Sequence, residues 1–291
     1  MQFAERMTRQ QPGLHIIFIT THKDYALEAF ELHALDYIVK PVSLERIEAA
    51  VQRAMAVHQY QLLSATQPAE NSHAVHIYAL GGLEVRTSEG SVKWKTRKSA
   101  ELFSYLLLLN GRMVSRAKIV TDIFGDVSYK NAETYLNTSI YQLRKALEPH
   151  GLKSIIASDV DGYGLILDDA WIDYVEFEER AKHDVQTGDH DIEPYLGTER
   201  MYVGDLFGER GFGWSLDSME RLSALYAAFV KKLAAALLER HESDVAIRLL
   251  NKLFHRNELD EETVGLLLRA YAAKKDRAAF GRLYKKYRRI L

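Results

Sequence analysis

Residues 131–148, NAETYLNTSIYQLRKALE, divide between two faces of one helix. Leu136, Ile140, Leu143 and Leu147 recur at intervals of four, three and four, the apolar stripe of an α-helix set in a small core. The remaining face carries Thr134, Asn137, Thr138, Tyr141, Gln142, Arg144 and Lys145, nearly all of them hydrogen-bond donors or acceptors. Asn and Gln match the adenine edge in the major groove, Arg matches guanine, and a Thr methyl packs on the thymine methyl. Acids stand only at the ends, Glu133 and Glu148, whereas an ordinary solvated face mixes its charges. The chemistry implied is recognition of base edges in double-stranded DNA, with no bond made or broken. Every surface helix has a polar face, so the reading depends on what surrounds this one.

The surroundings support it. VHIYALGGLEVRT and VKWK are short alternating runs separated by SEGS, which predicts a small antiparallel sheet. Three helices follow: SAELFSYLLLLN ended by Gly111, SRAKIVTDIF capped by Ser115 and stopped by Gly125, and the helix above. IIASDVDGYGLIL then offers two strand-like arms around Asp-Gly, a hairpin signal. Sheet, three helices and hairpin are the order of a winged helix-turn-helix, expected over 74–168. Phosphate contacts would position such a domain without reading sequence. Thr96, Arg97 and Lys98 begin its first helix and Ser115, Arg116 and Lys118 its second, where backbone N–H groups and the helix dipole favour an anion. Tyr163, placed at the hairpin tip, either touches the adjacent groove or serves the turn and core. Asp159 and Asp161 argue against a strongly basic wing.

Residues 1–57 alternate strand and helix differently. LHIIFIT and LDYIVKP suit buried parallel strands, and DYALEAFELHA between them has helical spacing. Ser43 caps a further helix with Leu44, Ile47, Val51 and Met55 as its apolar stripe. Two strands are a fragment of a doubly wound sheet. LLSATQPAENSH has no periodicity and reads as part of a linker over 58–73. Residues 169–291 are mainly helical, interrupted by YVGDLFGERGFGW, and Asp244-Val-Ala246 and Asp276-Arg-Ala278 recur 32 residues apart, close to a tetratricopeptide period. The fold class expected is therefore multidomain, α/β plus mainly α: a partial doubly wound sheet, a winged helix and a tetratricopeptide-like helical domain.

Composition sets the outer limits. The 291 residues contain no cysteine, which removes disulfides, thiolate catalysis and thiolate metal sites together and suits a reducing cytoplasm. No apolar run approaches the length of a membrane span and no signal-peptide pattern opens the chain. Net charge is −2, yet residues 74–168 are the one positive segment, with 12 Lys and Arg against 10 Asp and Glu, clustered in KWKTRK.

On these residues the chain resembles a known family. YALGGLEV, RKSAELFSYLLL, SIYQLRKAL and GYGLIL are similar to the OmpR-type winged-helix domain in the version found in the Streptomyces antibiotic regulatory protein family. DYVEFEERA, YVGDLFGERGFGW and the helices from Ser218 resemble the bacterial transcriptional activation domain that follows it there. Residues 14–57 resemble the second half of a phosphoacceptor receiver. That resemblance implies Thr20 (or Thr21) as the hydroxyl sensing the phosphoryl group, Tyr37 as the aromatic switch and Lys40 as the phosphate-pairing lysine, with a cis Lys40–Pro41 peptide. In the family the acidic metal-binding pair and acceptor aspartate lie upstream, where only MQFAERMTRQQPG stands here, so neither Mg²⁺ binding nor phosphoacceptance is expected. A continuation past YRRIL is likewise expected to be missing. The resemblance implies a DNA-binding regulator, an activator by family likeness, with double-stranded DNA, a homodimer partner, RNA polymerase and, for the intact protein, a sensor kinase as partners. No membrane partner and no cofactor are implied.

Other motifs carry less. DVDGYG lacks the third acid and distal glutamate of a calcium loop. GERGFG has neither the spacing nor the preceding strand of a dinucleotide site, and the eleven histidines form no HExxH. No catalytic constellation can be assembled, so no enzyme and no metal site are expected. Two other readings stay open: a protein-interaction scaffold built on the C-terminal helices, and a regulator with a small-molecule pocket among them.

Overall fold

The computed structural model describes residues 16–22, 36–44, 46–48, 50–51, 54, 74–125, 129–187, 192–208 and 211–290. It is mixed α/β and mostly helical, in two compact units, 1–72 and 73–291. No helix among the described residues is long and apolar enough to cross a membrane.

In the first unit β1 (Ile17–Thr20) pairs in parallel with β2 (Asp36–Val39), and the Lys40 N–H donates to the Thr20 carbonyl at 2.8 Å, continuing the ladder. Ser43 Oγ accepts from the Arg46 N–H at 3.3 Å, the expected cap, and the Arg46 guanidinium donates to Asp36 at 2.7 Å. The expected apolar stripe is not what is buried. Leu44, Ile47 and Val51 are exposed, whereas Ala50 is buried and Ala54, four residues on, is half-buried. Choosing the stripe by side-chain size missed that small residues at i and i+4 let a helix approach closely. Met55, the expected helix at 24–34 and the whole linker over 58–73 lie outside the described residues.

The second unit opens with a four-stranded sheet in the order β5-β4-β3-β9, from β3 (Val75–Tyr78), β4 (Glu84–Thr87), β5 (Gly90–Ser91) and β9 (Ala170–Ile172). VKWK is not a strand: β5 ends at Ser91, the Val92 N–H donates to Val85, and the chain turns towards the next helix. Three helices follow, α1 (Arg97–Leu108), α2 (Arg116–Phe124) and α3 (Tyr129–Leu147). Thr96 and Ser115 cap the first two, accepting from the N–H groups of Ser99 and Lys118. Next come β7 (Ile156–Ser158) and β8 (Gly162–Leu165), and a two-residue strand β6 (Val114–Ser115), invisible to pattern reading, adds to β8. Gly162 permits this. A Cβ there would sit 2.1 Å from the Val114 carbonyl oxygen.

The remainder is α4 (Asp173–Thr187), α5 (Glu193–Met201), α6 (Leu216–Glu239), α7 (Ser243–Arg256), α8 (Glu261–Ala273) and α9 (Arg277–Ile290). From α6 onward each helix packs on the next, and α4 lies against α5 and α6. Position 168/169 falls between β8 and β9, and β9 returns to pair with β3 in parallel, Ile77 opposite Ile172. One continuous core therefore runs from Val75 to Leu283.

Asp173 locks that junction. Its side chain is 3 % exposed, faces no cation, and accepts from the backbone N–H groups of Ala79 (2.8 Å), Leu80 (2.9 Å) and Tyr174 (2.7 Å) at the start of α4. From the other side the loop before α6 closes on the same segment. Phe207 N–H donates to the Ala79 carbonyl, Gly81 N–H donates to Asp205, and Leu80 bridges Leu206. Gly208, at φ 61°, is required here, because a Cβ would lie 2.4 Å from the Gly81 oxygen. Burial pushes the Asp173 carboxyl up to about 7, against the pull of its three N–H donors.

Replacing Asp173 by Ala leaves three buried N–H groups unpaired and should cost on the order of 3–5 kcal/mol in urea unfolding, within one transition that spans sheet and helices. Because the folded carboxyl binds its proton more tightly than the unfolded one, Asp173 stabilises most below about pH 4, and this contribution is lost as pH rises towards about 7. That slope should vanish in Asp173→Asn, as measured by stability across that window.

Candidate nucleic-acid interface

Helix α3 is held from behind. Ala132, Leu136, Ile140, Leu143 and Leu147 are all buried in the core shared with α1 and α2. Outward it shows Thr134, Asn137, Thr138, Tyr141 and Lys145, exposed positions at spacings of three and four that form one stripe. Tyr141 is 59 % exposed, with the Lys145 ammonium 5.8 Å from its ring centre. The Thr138 hydroxyl donates to the Thr134 carbonyl at 2.9 Å, which turns its methyl outward. Gln142 and Arg144 are half-buried. Tyr135, 51 % exposed, belongs to the same surface and was missed. The signal that could have found it is helical spacing, since position 135 lies three and seven residues before Thr138 and Gln142.

Two arginines turn out to be fasteners. Arg116, at the start of α2, donates to Asn137 Oδ1 at 2.6 Å and to the Tyr163 hydroxyl at 2.5 Å, with its guanidinium 5.3 Å from the Tyr163 ring centre. The oxygen of Asn137 thus accepts from Arg116, which leaves its NH₂ as the donor for other contacts. Arg144 donates to Ser158 Oγ (3.0 Å) and to the Ile156 carbonyl (3.4 Å), tying α3 to strand β7. Tyr163 is not at the hairpin tip: it lies within β8, 8 % exposed, paired with Val114 and Ser158. The tip is Asp159–Val160–Asp161, where Val160 is 93 % exposed and Asp159 Oδ1 accepts from the N–H groups of Asp161 and Gly162. Asp159 thus caps its own turn, the competing demand that sequence position could not reveal.

The residues expected on phosphate fall into two places. Lys98 donates to the Ile123 carbonyl at 2.7 Å, pairs with Glu101 at 2.9 Å and lies over the Phe124 ring, so it closes the C-terminal end of α2. Thr96 and Arg97, beside it, are exposed. Ser115, Arg116 and Lys118 stand at the other end of α2, about 13 Å away by helix rise. The two groups cannot hold one phosphate. Lys118 pairs with Asp122 at 2.9 Å, and Asp122 also accepts from the Tyr105 hydroxyl. Partial burial raises the Asp122 carboxyl, but these two donors outweigh it and hold it below its ordinary range, while burial and Asp122 push the Tyr105 hydroxyl up.

In the first unit Thr20 and Lys40 end the paired strands side by side, with Thr20 Oγ1 accepting from the His22 N–H at 3.2 Å and Lys40 exposed. The Lys40–Pro41 peptide is cis. Tyr37 stands opposite Phe18 in β2, and its side chain lies outside the described residues.

Comparison with known proteins agrees with this division. The Response regulator receiver domain family matches residues 1–52, the family "Transcriptional regulatory protein, C terminal" matches 90–165, and the Bacterial transcriptional activator domain matches 173–291. Among curated relatives, sensory transduction protein LytR of Staphylococcus haemolyticus is 47% identical over 53 residues, 18% of this chain and 21% of its own. The positive alginate biosynthesis regulatory protein of Pseudomonas aeruginosa is 33% identical over 102 residues, 35% of this chain and 36% of its own. The chain thus spans about a third or less of these relatives' length. The structure of Mycobacterium tuberculosis EmbR in complex with a low-affinity phosphopeptide shares the fold at a TM-score of 0.62 and 19% identity, covering 74% of this chain and 59% of that one. Matches to the receiver, C-terminal regulatory and activator families stand in that order in one polypeptide, and in this order the chain resembles the response regulators of the Streptomyces antibiotic regulatory protein type.

Proposed function

We propose that the chain is a sequence-specific DNA-binding transcriptional regulator of a two-component system, of the activating kind, that lays α3 in the major groove. The observation carrying this reading is the exposed, acid-poor stripe Thr134, Asn137, Thr138, Tyr141 and Lys145 on a helix whose opposite face is buried. The stripe, with Tyr135 and Gln142, reads bases. Arg116 and Arg144 set the angle of the helix against α2 and the wing, and Arg97 with the N-terminal end of α2 meets phosphates. The printed names of the relatives, a positive biosynthesis regulator among them, point the same way.

The division of labour follows the segments: 1–57 receiver part, 58–73 linker, 74–168 DNA binding and 169–291 activation. The last is read as tetratricopeptide-like hairpins from the 32-residue recurrence, although Asp244 lies in the first turn of α7 and Asp276 precedes α9 and caps it through the Ala279 N–H. Work on DNA in the cytoplasm, as a homodimer that engages RNA polymerase and answers a sensor kinase, completes the proposal.

Genomic fragments captured by the purified chain should share a repeated half-site; a folded sample that enriches no motif would overturn the proposal. On the recovered site, Asn137→Ala and Thr138→Ala should change base preference at single positions, each by about 1–3 kcal/mol in competition titrations. Arg144→Ala should instead weaken all sequences alike and speed amide exchange across Ile156–Ser158. Arg97→Ala should leave base preference intact and reduce the salt dependence of affinity by about one phosphate contact, read from titrations at several salt concentrations.

A further inference from the structure

Helices α4, α5 and α6 line a pocket of about 250 Å³, partly open to solvent, that neither DNA reading nor the packing of the helices uses. Phe229, Leu233 and Ala236, on one face of α6, form its apolar wall, and Tyr195 of α5 lines it as well. Ala235 and Ala236 line it as well, and their short side chains leave room that Leu at these two positions would fill. Tyr195 is 8 % exposed, and its hydroxyl has no hydrogen-bond partner among the described residues. A buried hydroxyl without a partner carries a desolvation cost that a bound molecule can remove.

We infer that this cavity is a binding site for a small, uncharged, mainly apolar molecule bearing one carbonyl or hydroxyl oxygen, which accepts from the Tyr195 hydroxyl. The size suits one ring and a short substituent, since a dry cavity of about 150 Å³ already takes benzene. The charged groups around it exclude carboxylates. Asp184 and Glu239 present two carboxylates against the single ammonium of Lys232, which itself donates to the Asp184 carbonyl at 3.2 Å. Asp184 is held in place by the Thr198 hydroxyl at 3.0 Å.

Acetophenone, ethylbenzene and benzoate separate the contributions of shape, oxygen and charge. Titrated into the full chain by calorimetry, with the methyl resonances of Ala235 and Ala236 followed by NMR, acetophenone should bind saturably and shift those methyls. Ethylbenzene should bind about tenfold more weakly and benzoate not at all. Tyr195→Phe keeps the shape of the ring and should weaken acetophenone about tenfold while leaving ethylbenzene unchanged; Ala236→Leu, checked for an intact melting transition, should abolish both. No saturable binding of acetophenone up to its solubility, or equal affinity in Tyr195→Phe, overturns the inference.

Discussion

A buried carboxylate without a cation holds this molecule together. Asp173 gathers three backbone N–H groups, two from the end of the first strand of the winged helix and one from its own helix start. A charge so deeply buried is tolerable only because those donors and the positive end of α4 replace water. The arrangement has a geometric consequence. Strand β3 and helix α4 cannot separate without exposing the strand end and stranding the carboxylate.

The second clamp works by close approach of backbone. Ala79, Leu80 and Gly81 are met on one side by Asp173 and on the other by Asp205–Phe207, and the glycines at 81 and 208 allow the contact. Around it aromatic rings finish the seal: Trp214 packs edge-on against Tyr105 at 5.1 Å and stacks on Phe212 at 5.0 Å, while its indole N–H donates to Glu101 of α1. Further out, Arg256 lies over Tyr202 and Tyr226 and donates to Asp205, bringing α7 into the same assembly. Two regions with separate sequence signatures are thus one body.

On the outer side of α3 the same economy appears in Arg116 and Arg144. Residue type alone assigns an arginine on such a surface to guanine or phosphate. Here each guanidinium is engaged by the protein, on Asn137 and Tyr163 in one case and on the wing strand in the other. Guanidinium groups fixed in this way set how α3 lies against α2 and the wing strand.

The sequence by itself determined what is local. The stripe of Leu136, Ile140, Leu143 and Leu147, the caps at Thr96 and Ser115, the stops near Gly111 and Gly125 and the turn before Gly162 were legible because each is set within a few residues by periodicity or backbone freedom. The exposed positions of α3 followed from the same period. Tertiary structure alone decided what joins distant parts of the chain. Strand β9 pairs with a strand nearly a hundred residues earlier, β6 exists only because β8 lies beside it, Tyr163 is buried because Arg116 reaches it, and Asp173 is neither a surface acid nor an ordinary helix cap. These are partners supplied by other segments, and no window of sequence contains both halves of such a contact.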